Sequence, residues 1–204
     1  AGLVTRGYIW VEGKNLPALP EKEMRRIRGS KIGMIFQDAG TSLCPIRTIG
    51  EQIFESMTAH RQITKTEAKD AALSLFAKLR FKDGERIWNS YPFELSGGMN
   101  QRAGIAISVL MNPSVLFADE PTSALDVAVQ RQVVDELLEL RELFGTAIIL
   151  VTHDIGVVSA MADSVLVLQQ GNKMEYGRAR DVLDHPQNSY TRKLLSAVPK
   201  LRRA

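Results

Sequence analysis

The feature of this sequence that most restricts its fold is a pair of short apolar runs separated by a long amphipathic segment. The runs are residues 115–118 and 147–151, and each has the length and composition of a strand buried on both faces. Between them Asp126 stands where a helix cap is expected, and an apolar stripe at helical spacing follows in residues 133–140. Strand, helix and strand in this order predict a parallel sheet. The chain is therefore expected to have an α/β fold.

Composition excludes several classes of function. The 204 residues are 45% apolar and 24% charged, which suffices for a sizeable core. A formal net charge of +3 is too small to indicate a nucleic-acid partner, and the basic side chains are scattered except in the tail at residues 200–203. The single cysteine, Cys44, excludes an internal disulfide and is compatible with a reducing compartment. No apolar run is long enough to cross a bilayer, so any membrane role is expected to come through a partner.

The first half of the chain changes from strand patterns to helix patterns. Residues 31–36 predict a strand that ends just before Gln37. Two Thr-x-x-Glu capping boxes predict two helices within residues 48–80, and a further helix is expected after Ser96. Near the end of the chain, residues 164–176 predict a hairpin, followed by two short helices.

Two adjacent carboxylates, Asp119 and Glu120, end the first apolar run. Alternation along a strand points such neighbours in opposite directions, which predicts separate tasks. We expect Asp119 to be a ligand of Mg²⁺ and Glu120 to be the general base that orients a water, a role that contributes about 10²–10⁴-fold in rate. An acidic pair alone is common at strand ends. The sequence Pro-Thr-Ser-Ala-Leu-Asp at residues 121–126 favours the catalytic interpretation.

Residues 95–98, Leu-Ser-Gly-Gly, precede a predicted helix and suit an anion. Ser96 supplies a hydroxyl, Gly97 and Gly98 allow close backbone approach, and the unpaired amides of the first helical turn carry partial positive charge. Taken singly, Ser-Gly-Gly is more often an ordinary helix cap. The group becomes informative only together with the carboxylates.

The candidate residues share a position just after the end of a predicted strand. Gln37 and His153 each follow a predicted strand, as Asp119 and Glu120 do, although each alone carries little information. Because the carboxyl ends of parallel strands share one edge of a sheet, we expect all four side chains to converge there. One γ-phosphate, one Mg²⁺ held by Asp119 and Gln37, and one water would use them all. We therefore predict Glu120, His153 and Gln37 to be the catalytic residues, and the cofactors to be ATP and Mg²⁺.

Together these motifs resemble the nucleotide-binding subunit of ABC transporters over essentially the whole chain. Residues 95–101 resemble the signature motif, residues 115–120 the Walker B strand, and residues 123–126 the D-loop. His153 resembles the switch histidine and Gln37 the Q-loop glutamine. Five motifs in the expected order and spacing make a chance match negligible.

The resemblance implies a truncated P-loop NTPase fold, in which a RecA-like parallel sheet carries an inserted α-helical subdomain. It implies a first part of the core in residues 1–40, the helical subdomain in 41–112, a second part of the core in 113–178 and a helical tail in 179–204. It also implies a head-to-tail dimer, of two identical or two related subunits. The signature motif of one subunit closes on ATP held by the other. Ser96, Gly97, Gly98 and Asp126 are then the nucleotide-binding residues.

A narrower resemblance is to the ATPases of dipeptide, oligopeptide and nickel importers. It rests on residues 34–37, 41–45, 95–102 and the tail at 185–199. The departures from that branch's pattern are Cys44 for Asn, Asn100 for Arg and Ser189 for Pro. The resemblance implies a peripheral protein at the cytoplasmic face of the membrane that docks residues 41–94 on transmembrane permease subunits and drives import of peptides or nickel.

No Gly-x-x-x-x-Gly-Lys-Ser/Thr phosphate-binding loop occurs in these residues. Family members begin with a strand, this Walker A loop and its helix, and we expect the true beginning of the protein to lie upstream. We therefore expect the 204 residues alone neither to bind ATP tightly nor to hydrolyse it, and to expose apolar sheet surface.

Two alternatives compete with an active ATPase subunit. The chain could be a non-catalytic or degenerate ABC module that supplies only its signature face to a complete partner, although Glu120 and His153 count against relaxed catalysis. ATPase heads of chromosome maintenance or DNA repair normally carry a long coiled coil between the positions of Gln37 and Ser96. No such segment is present here.

Overall fold

The computed structural model describes residues 4, 6–37, 42–123 and 125–197. The strands are β1 (Trp10–Val11), β2 (Lys14–Asn15), β3 (Ile32–Ile35), β4 (Val115–Asp119), β5 (Ala147–Val151), β6 (Ser164–Gln169) and β7 (Asn172–Arg178). The helices are α1 (Glu21–Ile27), α2 (Ile49–Thr58), α3 (Lys65–Lys78), α4 (Gly84–Asn89), α5 (Gly97–Val109), α6 (Val127–Phe144), α7 (Ile155–Met161), α8 (Ala179–Asp184) and α9 (Ser189–Ser196). Parts of the predicted loop after Gln37 and the basic tail lie outside the described residues.

A parallel sheet of β3, β4 and β5, in this order, forms the centre of the structure. This confirms the parallel arrangement expected from the alternating strand and helix patterns. The pairs β1–β2 and β6–β7 form separate antiparallel sheets. Within the described ranges β5 pairs only with β4, so the other edge of β5 has no strand beside it.

The helical region between β3 and β4 is organised by its helix caps. Thr48 and Thr64 each accept a hydrogen bond from the backbone of the glutamate three residues later, and both capping boxes are complete, as predicted. Helix α4, whose first turn is capped by Asp83, was not expected from the sequence. Its six residues are too short to show a helical period, and it is stabilised by packing of Trp88, which is 4% exposed.

The central sheet is buried on only one face. Leu116 and Ala118 of β4 are at most 1% exposed and belong to the same core as α5 and α6. On the opposite face Ile149 and Val151 of β5 are 48% and 54% exposed. The prediction that residues 147–151 form a buried strand is therefore wrong, whereas the expectation that these 204 residues expose apolar sheet surface is confirmed. No described element covers the second face.

None of the described helices combines the length and apolar character that crossing a membrane requires.

Candidate functional site

The carboxyl ends of the three central strands meet at one edge, because the register aligns β3 with β4 and β4 with β5 along their whole lengths. Gln37 follows the end of β3 and is exposed to solvent. Asp119 is the last residue of β4, Glu120 comes directly after it, and His153 follows β5 by two residues. The register thus places all four residues at strand ends on one edge of the sheet, while their action as one site stays a prediction.

Glu120 and His153 form a direct pair, with 2.7 Å between Oε1 of Glu120 and Nδ1 of His153. The backbone of Glu120 leaves strand geometry, with φ at 46°, while its N–H donates to the carbonyl of Val151 at 2.8 Å. Such a φ is uncommon for a residue with a side chain. The side chains of Asp119 and Glu120 therefore differ in direction because the chain turns at Glu120, in addition to the alternation expected along a strand.

The electrostatics of the pair favour a charged imidazole. The hydrogen bond and the negative charge of Glu120 raise the pKa of His153 above its ordinary value of 6.5. The imidazole is 79% exposed and the Glu120 side chain 19% exposed, so solvent screens much of this attraction. Thr152 adds a weak hydrogen bond to the second oxygen of Glu120, at 3.5 Å.

Ser96 caps helix α5, accepting a hydrogen bond from the amide of Met99 at 3.3 Å, and is exposed. A Cβ added to Gly97 would meet no atom within 4 Å, so the space beside it is open. Gly98 instead lies against Val129 of α6, where an added Cβ would be 2.7 Å from a methyl carbon. The structure thus presents a free helix tip of the kind that binds anions.

Asp126 caps α6 by accepting a hydrogen bond from the amide of Val129 at 2.9 Å. Because Gly98 contacts the same valine, Asp126 and the tip of α5 are neighbours. The turn that begins at Glu120 is closed by Ser123, whose amide and hydroxyl both donate to the Glu120 carbonyl. The candidate residues therefore form two groups, one at the sheet edge and one at the tips of α5 and α6.

The residues at the sheet edge could supply only part of the coordination shell of Mg²⁺, and phosphate oxygens and water would have to supply the rest. Among the described residues no three His, Cys, Asp or Glu side chains are grouped closely enough to hold a metal ion. Mg²⁺ in phosphate-binding enzymes is usually held by one or two side chains together with phosphate oxygens and water. Asp119 and Gln37 have suitable oxygen donors for that smaller share of the coordination shell.

Sequence reasoning missed two contacts of α6 that bear on the site. Gln130 donates to the carboxylate of Asp154 at 2.6 Å, and Glu136 pairs with Arg102 of α5 at 2.5 Å. These contacts join residues 24 and 34 positions apart, and nothing in the local pattern indicates them. Only the capping position of Asp154, just before α7, could be recognised from the sequence.

Comparison with known proteins identifies the family. A family model described as ABC transporter matches residues 2–123, more than half of the chain. The chain belongs to the ABC transporter family. The motif order at the sheet edge and the helix tips agrees with this membership.

Three of the similar proteins carry names of peptide-transport ATP-binding proteins. The chain is 45% identical over 195 residues to the oligopeptide transport ATP-binding protein OppD of Salmonella typhimurium, covering 96% of this chain and 58% of that protein. It is 45% identical over 201 residues to AmiE of Streptococcus pneumoniae, covering 98% and 57%. It is 43% identical over 197 residues to a probable peptide ABC transporter ATP-binding protein of Sinorhizobium fredii, covering 97% and 59%. The chain thus spans less than two thirds of each relative.

A solved structure supports the same fold. The dimeric ATP-binding cassette MJ0796, in a post-hydrolysis state bound to ADP and Pi, matches with a TM-score of 0.75 at 30% sequence identity. The match covers 86% of this chain and 75% of that one. The α/β architecture with a parallel sheet is therefore that of an ABC ATPase cassette.

Proposed function

We propose that the full-length protein is the ATP-hydrolysing subunit of an ABC transporter that drives import of peptides. The observation that carries the proposal is the pair of Glu120 and His153, 2.7 Å apart at the sheet edge next to Asp119. Peptide transport is supported by the names of OppD, AmiE and the Sinorhizobium protein. Nickel remains the second candidate solute from the narrower sequence resemblance.

The geometry supports a division of labour at the sheet edge. Glu120 is placed to orient an attacking water and accept its proton, and its turned backbone directs the carboxylate towards the end of β5. His153 holds that carboxylate in place and brings positive charge to the same edge. When bound, Mg²⁺ and ATP supply the transferable phosphoryl group and the charge neutralisation that the reaction needs, and Asp119 and Gln37 would hold the metal ion.

The second group of residues suits a nucleotide held by another subunit. Ser96 and Gly97 are exposed at the tip of α5, where unpaired amides attract phosphate, and Asp126 stands beside them. We propose that this face closes on ATP bound by a second copy or a related subunit in a head-to-tail dimer. The dimeric form of the MJ0796 cassette is in keeping with this arrangement.

Docking on transmembrane permease subunits is proposed for the helical region. A groove of about 370 Å³ lies where this region meets the sheet, lined by β3, α2 and α5. Its wall includes Phe36, which is 51% exposed and immediately precedes Gln37. A permease segment in this groove would contact both the helical region and the residue next to the Q-loop glutamine. This arrangement would hold the protein at the cytoplasmic face of the membrane.

For the 204 residues alone we propose no tight ATP binding and no hydrolysis. The amides and lysine of a phosphate-binding loop normally hold the β- and γ-phosphates, and no such loop occurs in the sequence. Asp119 and Glu120 would repel a triphosphate more strongly than Ser96 could attract it. ATP turnover by this chain that disappears in Glu120→Gln would contradict the proposal.

The direct test uses the full-length protein, cloned from the complete reading frame. Glu120→Gln is expected to abolish ATP hydrolysis while trapping a closed, ATP-loaded dimer, and substitution of Ser96 by Ala to leave ATP binding intact but prevent dimer closure. Glu142→Gln, an exposed glutamate on α6, is the matched control and should hydrolyse ATP at the parental rate. If the first two variants also retained the parental rate, the assigned roles would be wrong.

The same experiment separates the alternative function. A non-catalytic module that supplies only its signature face would show no hydrolysis on its own. It would, however, stimulate the ATPase of a complete partner subunit, and that stimulation would be lost when Ser96 is replaced. A transport assay with peptides and nickel in cells lacking the gene then identifies the solute.

A further inference from the structure

Helix α6 is joined to the turn that carries His153. The side-chain amide of Gln130 donates to Oδ2 of Asp154 at 2.6 Å. The other oxygen, Oδ1, accepts the amides of Gly156 and Val157 and so caps α7. Burial opposes ionisation of this carboxylate, but the hydrogen bonds outweigh that effect and lower the pKa of Asp154. The residue directly after His153 is therefore held by α6 on one side and by α7 on the other.

The same helix is joined to α5 by a buried ion pair. The side chains of Glu136 on α6 and Arg102 on α5 are 5% and 11% exposed. Nε of Arg102 lies 2.5 Å from Oε1 of Glu136. The guanidinium of Arg102 also lies over the ring of Phe81, 4.2 Å from the centroid, and donates to the carbonyl of Leu79. Separating a buried pair of this kind leaves an uncompensated charge, so the two helices are expected to move together.

A close packing contact adds to the ion pair at the start of both helices. Gly98 lies so near Val129 that an added Cβ would be 2.7 Å from a valine methyl carbon. Positions 98 and 102 of α5 thus contact positions 129 and 136 of α6 along one side of each helix. The tip of α5, with Ser96, is therefore held against α6 at two separate points.

We propose that α6 couples the two groups of site residues within one subunit, with Gln130 and the Arg102–Glu136 pair acting as positioning residues. A displacement of the Ser96 end is passed through α6 and Gln130 to Asp154, and so to the orientation of His153 beside Glu120. In a head-to-tail dimer this links the nucleotide that Ser96 contacts on the partner to hydrolysis at the subunit's own sheet edge. The inference rests on the proposed ATPase function and adds a path between its two halves.

The test is a double-mutant cycle in the full-length ATPase, comparing Arg102→Met, Gln130→Ala and the double variant with the parent. Each single change is expected to lower kcat about tenfold, as loss of an orienting hydrogen bond typically does, with the KM for ATP kept within about twofold. Gln130 and Glu136 lie six positions apart on α6, about 9 Å along its axis. Independent effects at that separation multiply within about twofold. Coupling through one helix predicts instead that the double variant is no slower than the slower single variant.

Arg131→Ala is the matched control. Arg131 is the neighbour of Gln130, lies on the exposed side of α6, and pairs only with Asp135 among the described residues. Its kcat is expected to equal that of the parent. ATP-driven dimerisation, measured in a Glu120→Gln background, should weaken in Arg102→Met and persist in Gln130→Ala. Urea denaturation of both variants shows whether the difference follows a loss of stability, and weaker dimerisation of a fully folded Arg102→Met variant supports the coupling.

The outcomes are distinguishable. Losses in kcat that multiply in the double variant, or an unchanged kcat in Gln130→Ala, would overturn the coupling. A parent protein without ATPase activity, or one whose Glu120→Gln variant remains active, would overturn the proposed function itself. Because Arg102→Met leaves the Glu136 carboxylate buried without its partner, Glu136→Gln, which has the same shape and no charge, replaces it in the cycle if the first variant does not fold.

Discussion

The two faces of the central sheet are made by the same strands but differ in burial. On one face Leu116 and Ala118 are at most 1% exposed, because α5 and α6 share their core. On the other, Met34, Ile149 and Val151 are 44–54% exposed, although they are equally apolar. Burial of a strand face thus depends on what packs against it and not on composition alone. Monomers rarely leave contiguous apolar surface of this kind uncovered, so we expect the full-length protein to cover the second face.

The largest expected effect is on the covered face. Leu116→Ala removes a side chain that is 0% exposed, and we expect a loss of about 2–5 kcal/mol in the free energy of unfolding from the cavity it leaves. The measurement is urea denaturation of this chain. Leu143→Ala, at a residue of α6 that is 55% exposed, is the control and should change stability by less than about 0.5 kcal/mol. Equal losses in both variants would contradict the asymmetry of the core.

Ile149 of β5 lies on the exposed face of the sheet. Ile149→Ala should lower the stability of this chain by less than about 1 kcal/mol, since the side chain is already 48% exposed. In the full-length protein, where we expect this face to be covered, the same substitution should cost about 2–4 kcal/mol. Similar values in the two proteins would show that the face stays open in the complete molecule.

The third prediction concerns the surface properties of the exposed face. Replacing Ile149 and Val151 by Thr keeps a β-branched side chain but makes the surface polar. We expect weaker fluorescence of the dye ANS and less aggregation of this chain, with a change of less than about 1 kcal/mol in the free energy of unfolding. Replacement of Leu143 by Thr, on α6, is the control. Unchanged dye binding would place the main exposed apolar surface elsewhere.

The smallest expected effect concerns the Glu120–His153 pair at the carboxyl ends of β4 and β5. We expect this pair to form whether or not the exposed face of the sheet is covered. An NMR titration should give His153 a pKa above 6.5, and Glu120→Gln should bring that pKa down towards 6.5, because Glu120 is its main cause. A raised pKa in the folded state means that the pair stabilises the protein fully below about pH 6.5 and loses this contribution as the pH rises through the folded value.

Two comparisons complete that titration. The Ile149→Ala variant should leave the His153 titration unchanged, because the pair is made by the ends of β4 and β5. Glu142→Gln should leave the His153 pKa unchanged as well, since Glu142 lies near the end of α6 and not at the sheet edge. A shift in Ile149→Ala would mean that the edge is not independent of the exposed face, and a shift in Glu142→Gln would mean that the His153 pKa does not depend specifically on Glu120.

Much of the central fold could be predicted from the sequence, because its signals are local. The apolar runs of β4 and β5 and the two Thr-x-x-Glu caps gave the elements, and the parallel order then brought Glu120 and His153 to one edge. Helix α4 was missed because six residues stabilised by packing show no period. Exposed apolar sheet surface was expected from the missing phosphate-binding loop and is confirmed. The sequence did not indicate that β5 carries it, because an apolar run looks the same whether one face or both are covered.

Side-chain contacts between helices could not be predicted from the sequence. Gln130 and Glu136 look like ordinary polar residues of an amphipathic helix, and their contacts with Asp154 and Arg102 arise from the packing of α6 beside α5 and α7. The turn at Glu120, with its positive φ, likewise depends on a hydrogen bond to Val151 of another strand. The roles assigned to Asp119, Gln37 and Ser96 remain predictions, and the structure establishes only their positions.

The outer edge of β5, unpaired within the described residues, has a practical consequence. Its amides and carbonyls can receive one more strand. A separately expressed polypeptide that carries such a strand together with a phosphate-binding loop should therefore assemble with this chain in solution. We expect the mixture to bind nucleotide more tightly than either polypeptide alone.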